Sequence, residues 1–177
     1  MVAGTEAPIS DGSEWMTTTT TRVSRHLNAP RSTVYRALVD ARAVAVWMVP
    51  VGMTSHVHVF DAREGGLFRI SLSYDDPARA GKTAGHTDTY HGHFVRLVPD
   101  ERVVQVMEFE TSDAAMRGEM MVSYTLIDAG EGTDLLAVHE NVPAGVSPAD
   151  NETGWQMSLD RLAALVEDSP AQPARKR

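Results

Sequence analysis

The chain has 177 residues and carries 16 lysines and arginines against 24 aspartates and glutamates, a formal charge of -8 that offers no general attraction to nucleic-acid phosphates or anionic lipid. The lack of cysteine excludes disulfides, a thiol nucleophile and thiolate metal sites, and 42% hydrophobic with 23% charged residues describes an ordinary globular protein of one domain. No apolar run approaches the roughly 20 residues needed to cross a bilayer, and no basic start precedes an apolar stretch, so a cytoplasmic protein without membrane or nucleic-acid partners is expected.

Residues 1–17 mix Gly, Pro, Ser and acidic side chains without periodicity and read as a flexible arm. A domain over 18–167 follows, and then a tail, 168–177, that ends in Arg175, Lys176 and Arg177. Thr18 to Leu27, rich in Thr and Val, reads as a first strand, ended by Asn28, Ala29 and Pro30. Pro30 suits the opening turn of a helix, where its missing N–H costs nothing. That helix carries Val34, Leu38 and Val39 at helical spacing, and Ala41 to Met48 predicts a second short helix closed by Trp47 before Pro50.

From Val57 the period changes to two. Val57 and Val59 claim one buried face, and after the turn pair Gly65 and Gly66 the row Phe68, Ile70, Leu72 and Tyr74 claims another, a hairpin signal. Asp75 to Gly85 reads as a loop, Thr87 to Val98 and Arg102 to Glu110 as strands joined around Pro99 and Asp100, and Arg117 to Ile127 and Asp134 to Asn141 as a further pair. The order is then strand, two helices and a run of strands, about seven strands in all. Ser147 can cap a final helix that starts at Pro148, whose face carries Trp155, Leu159, Leu162 and Val166.

Ala29-Pro30 ahead of Val34-Tyr35-Arg36-Ala37-Leu38, Trp47 closing the second helix, Gly65-Gly66-Leu67-Phe68-Arg69 opening a strand, and His91-Gly92-His93-Phe94-Val95 followed by Pro99 carry a resemblance. In that order and spacing, over roughly 18–167, the chain resembles the START-like superfamily, also called SRPBCC, in its branch of activator-of-heat-shock-chaperone-ATPase homologues. The resemblance implies an α+β helix-grip fold, in which a curved antiparallel sheet wraps a long C-terminal helix over an internal cavity. It also implies a range of roles, among them lipid carriers, hormone receptors, polyketide cyclases or dehydratases, and co-chaperones, so function does not follow from the fold. In the usual pattern two adjacent tryptophans close the second helix; here Met48 follows Trp47, leaving that wall of the cavity mouth less aromatic.

Chemistry-bearing residues are few. His91 and His93 share one face of a predicted strand, and with His86 or His139 they would supply a three-histidine zinc set. The same spacing at His56 and His58, beside inward valines, makes solvent-facing histidines the simpler reading, and no metal or cofactor is expected. The row His91, His93, Val95 and Leu97 competes with Tyr90, Phe94 and Arg96 for the inner face, and Arg96 argues that its own row lies outside. His139 shares a row with Leu135 and Ala137; with His91 inward as well, the two would position a polar group on a ligand, with Glu108 as carboxylate partner.

No nucleophile elbow, phosphate loop or dinucleotide glycine pattern is present. The reading favoured is a binding module whose cavity, lined by Trp47, Phe68, Ile70, Tyr74, Tyr124 and Trp155 with His91, His93, Ala137 and His139, receives a small hydrophobic or aromatic molecule. A cyclase-like enzyme moving protons through His91, His139 or Glu108 is the alternative, and partner binding in a chaperone cycle a third. Pairing of two copies into a homodimer is left open.

Overall fold

The computed structural model describes residues 19–168. The arm expected over 1–17 lies outside the described residues, as does the tail beyond Asp168. Strand β1 (Thr19–Leu27) leads into α1 (Arg31–Val39) and α2 (Ala41–Trp47). Pro30 stands just before α1 rather than inside its first turn, and its carbonyl accepts from Thr33 N at 2.9 Å and Val34 N at 3.1 Å. The Asp40 carboxylate opens α2 by accepting from Ala43 N at 2.8 Å, which satisfies a donor the helix itself cannot. Trp47 is buried at the end of α2 and its indole N–H donates to the Ala37 carbonyl at 2.9 Å, binding the two short helices to each other.

Strands β2 (Met53–Phe60), β3 (Leu67–Tyr74), β4 (Thr87–Val98), β5 (Arg102–Phe109), β6 (Met120–Ala129) and β7 (Gly132–Val142) then run as an antiparallel meander. β1 pairs with β7, so the described residues form one seven-stranded sheet in the order β1-β7-β6-β5-β4-β3-β2. Because β1 and β2 are its opposite edges, α1 and α2 carry the chain from one edge to the other. The expected row Phe68, Ile70, Leu72 and Tyr74 faces inward, where Phe68 packs edge-on against Tyr90 and Phe94. Gly92 lies opposite Phe68 in the register, and a β-carbon there would meet the Val106 carbonyl and come within 2.7 Å of Phe68 Cζ.

Two bulges overturn the strict alternation used on the sequence. In β2 the register slips between Val57 and Val59: Val57 packs toward the core, Val59 is exposed, and Phe60 returns inward to meet Phe94. In β4 it slips between Phe94 and Arg96, so Tyr90 and Phe94 face the core although Arg96 faces solvent. The expectation that Arg96 marks the row of Tyr90 as external is therefore incorrect, because one extra residue reverses the side on which each later side chain emerges.

The long helix α3 (Pro148–Glu167) begins as expected, with Ser147 Oγ accepting from Asp150 N at 3.4 Å and Pro148 in the first turn. Leu159, Leu162, Ala163 and Val166 are buried, and the helix packs on β1, α1 and α2. Asn28 ties its end to the start of α1, donating its backbone N–H to Glu167 Oε1 at 2.9 Å. Sheet, long helix and intervening core make the α+β helix-grip arrangement.

Candidate functional site

Where α3 begins, the core is not filled. A cavity of about 540 Å³ lies between the first half of α3 and the inner face of the sheet, entered past the segments at 48–51, 79–82 and 143–147. The inward alternation of the strands supplies its wall: Met53, Leu72, Tyr74, Tyr90, Met107, Phe109, Met120 and His139. Trp155, Met157 and Gly154 of α3 face them, and Met48 and Met116 complete a set of six methionines. Such flexible, polarisable side chains reshape themselves around an apolar guest.

His139 is 6% exposed and is the polar centre of this wall. Its Nδ1 receives the Trp155 indole N–H at 3.1 Å and meets Asn151 Nδ2 at 3.2 Å, while Asn151 also donates to Thr21 Oγ1 at 2.9 Å. An indole nitrogen only donates, so Nδ1 is the acceptor and the ring proton sits on Nε2, 3.3 Å from Met120 Sδ. Burial, partly offset by the Asn151 contact, lowers the pKa from 6.5 to about 4, and the imidazole is neutral at physiological pH. The ring thus offers the cavity one fixed N–H.

Tyr90 is buried on the same wall, with its hydroxyl 3.6 Å from Met48 Sδ, and burial raises its pKa above the ordinary phenol range. At the lip, Lys82 Nζ pairs with Asp88 Oδ2 at 2.5 Å, and the Lys82 backbone N–H donates to the other carboxylate oxygen. The Arg79 guanidinium lies 4.8 Å above the Tyr74 ring. A second void of about 10 Å³ lies deeper, between Trp47, Phe68, Ile70, Gln105 and Tyr124, and shares Met48 and Tyr90 with the large one. Tyr124 stands there with a hydroxyl that has no hydrogen-bond partner, its ring edge-on to Trp47 and tilted against Trp155.

Of the residues expected at a site, Tyr74, His139 and Trp155 meet in the large cavity, while Trp47, Phe68, Ile70 and Tyr124 line the small void behind it. Ala137 faces inward beside Tyr124 and Val23 but is packed in solid core and lines neither. His91, His93 and Glu108 lie on the opposite face of the sheet, the histidines alternating with the inward Tyr90 and Phe94 and Glu108 alternating with the inward Met107 and Phe109. There His91 stands 3.2 Å from Glu108 and 3.3 Å from Glu110, whose carboxylate forms a two-toothed pair with Arg69 at 2.7 and 2.8 Å. That guanidinium holds the Glu110 carboxyl below its usual pKa. The expected pairing of His91 with Glu108 exists, but outside the cavity and 46% exposed on the histidine side.

Met48, Asp88, Tyr90 and Asn151 are the contributors the sequence did not single out. Asp88 and Tyr90 share the parity of Phe94, which carried the signal. Among the described residues no group of three His, Asp or Glu side chains is placed to hold a metal ion, and no helix is long and apolar enough to cross a membrane.

The family model described as activator of Hsp90 ATPase homolog 1-like protein matches residues 28–167. Among solved structures, a protein from Chromobacterium violaceum is 36% identical, with 85% of this chain and 98% of that one covered at a TM-score of 0.76. A Rhodobacter sphaeroides protein is 19% identical over 84% of this chain and 92% of its own, with a TM-score of 0.69. DynU16, a protein of the dynemicin biosynthetic locus, is 24% identical over 84% of this chain and 47% of its own at 0.60, a likeness of fold. Among curated proteins no match is found.

Proposed function

Given that the chain belongs to the family of activator of Hsp90 ATPase homolog 1-like proteins, we propose that it binds one small hydrophobic or aromatic molecule in the cavity beneath the first half of α3. The observation that carries this reading is the cavity of about 540 Å³ walled by six methionines and by Tyr74, Tyr90, Phe109 and Trp155. Protein interiors seldom leave voids larger than a water molecule, whereas small-molecule sites run from about 300 to 1,000 Å³. A space of this size with apolar walls and few polar groups is the form of a binding site.

Binding is favoured over proton transfer by the state of His139. Its Nδ1 is occupied by the Trp155 indole N–H, and burial that lowers its pKa to about 4 makes it a weak base and leaves it uncharged at neutral pH. His91 and Glu108 stand on the other face and supply no second titrating group. The test is native mass spectrometry of the purified protein beside Gly154→Phe. A β-carbon at Gly154 meets nothing within 4 Å, so the added ring enters the cavity without displacing core. The wild type is expected to carry a bound molecule or take up an apolar dye, and the folded variant to do neither. Uptake that is equal in the two proteins, or absent from both, would sink the proposal.

A further inference from the structure

Three donors that line the two voids lack proper acceptors. His139 Nε2–H has only Met120 Sδ, at 3.3 Å, and the Tyr90 hydroxyl has only Met48 Sδ, at 3.6 Å. A thioether sulfur is a weak acceptor, so both contacts leave most of the donor's capacity unused. Tyr124 goes further: its hydroxyl is buried with no partner at all, at the small void whose wall it shares with Tyr90. Leaving a buried donor unmet is costly, and each such group in a folded protein calls for an explanation. Among the described residues the other buried hydroxyl without a partner, that of Ser55, lines neither void.

The charges near the cavity point the same way. Lys82 is neutralised by Asp88, and Arg79 lies exposed over Tyr74 at the rim. A carboxylate carried to the depth of Tyr90 would meet neutral donors alone, and a buried charge without a counter-charge is disfavoured. A cationic head would meet only phenol oxygens at Tyr90 and Tyr124, weak compensation for a desolvated charge, while the Asp88 carboxylate is already paired to Lys82.

Resting on the binding role proposed above, we propose that the molecule held is an uncharged carbonyl compound, a ketone or quinone on an apolar or aromatic body, whose oxygen is received by the donors that line the large cavity, His139 and Tyr90, with the Tyr124 hydroxyl in the small void behind Tyr90. Met48 and Met120 are then placeholders that swing aside when the oxygen arrives, which their unbranched side chains allow. The arrangement discriminates against hydrocarbons of equal size, because these leave the donors unmet.

The probe is prodan, a dimethylaminonaphthalene ketone, compared by calorimetric titration with its counterpart bearing propyl in place of propionyl and with the corresponding naphthoate. Prodan is expected to bind about tenfold more tightly than the propyl compound, and more tightly than the naphthoate. In the double variant Tyr90→Phe, Tyr124→Phe that ratio should fall toward one, while affinity for the propyl compound is kept. The variant should melt no lower than the wild type, since Tyr124→Phe removes an unmet hydroxyl. Equal binding of ketone and propyl compound, a preference for the naphthoate, or a ratio that survives the double variant overturns the inference and leaves the cavity reading standing. Failure of all three compounds to bind removes both.

Discussion

Along α3 the second half sets Leu159, Leu162, Ala163 and Val166 into a sealed core against β1 and the two short helices. The first half, on the same face, sets Asn151, Gly154 and Trp155 around open space. One amphipathic stripe thus serves both as core and as the roof of a cavity. Helical spacing states which side of a helix turns inward; whether that side is filled depends on the sizes of the side chains opposite. Opposite the first half stand long, flexible methionines and donors with weak partners, and opposite the second stand close-packed aliphatics.

The largest effect that tests this contrast is expected from Leu162→Ala, at a position with no exposed surface. Truncation there should cost about 2 to 5 kcal/mol by chemical denaturation, through lost apolar transfer and a new void. Met157→Ala, earlier in the same helix on the cavity wall, should cost under about 1 kcal/mol, because it enlarges a space already present. Equal losses at the two positions would show that the first half of α3 is packed like the second.

The same reasoning explains what was legible in the sequence. The capped start of α3, its stripe, and the row from Phe68 to Tyr74 follow from local periodicity and appear as expected. His139 was placed inward by its row with Leu135 and Ala137, and that row is unbroken. The sides of His91 and His93 were not legible, because the bulge at Phe94 and Arg96 is a property of the pairing of β4 with β5 and leaves no mark in composition, and that of Glu108 was not because Val103 to Phe109 is apolar on both rows. The resemblance implies a cavity between sheet and long helix, but its lining is only partly legible, since an unfilled volume is the sum of many side chains from distant strands. Ala137 illustrates the limit: small and inward, it reads as a cavity wall, yet its neighbours fill the space around it.

A second comparison sets His139 against His91, the one buried beside an indole and the other exposed between two carboxylates. Burial lowers the His139 pKa to about 4, against the ordinary 6.5 of a solvated imidazole. The unfolded chain therefore takes up the proton first as pH falls, so protonation favours unfolding. The stability this neutral imidazole confers is complete above about pH 6.5 and is lost progressively down to about pH 4, about 3 kcal/mol in all. In His139→Gln, whose amide can still meet the Trp155 and Asn151 N–H groups, that part of the acid sensitivity should vanish. Unfolding free energies measured at about pH 7 and about pH 4.5 for both proteins give the difference. Parallel pH profiles would mean that His139 is solvated and free to titrate, which would also reopen the proton-transfer reading.

The smallest effect is expected at Gly154, and its sign carries the information. Glycine within a helix destabilises it relative to alanine by roughly 0.5 to 1 kcal/mol, because the unfolded chain has more conformations to lose. Where a glycine is closely packed such a replacement clashes instead, as it would at Gly92 of strand β4, where a β-carbon meets the Phe68 ring at 2.7 Å. At Gly154, in the middle of α3 and on the cavity wall, a β-carbon has no heavy atom within 4 Å. Gly154→Ala should therefore raise stability by up to about 1 kcal/mol, seen as a higher denaturation midpoint with an unchanged slope. A methyl group is far smaller than the cavity, so prodan affinity should change little, in contrast to its loss in Gly154→Phe. A destabilised Gly154→Ala would mean that the space beneath the first half of α3 closes in solution, and the contrast between the two halves of the helix would disappear with it.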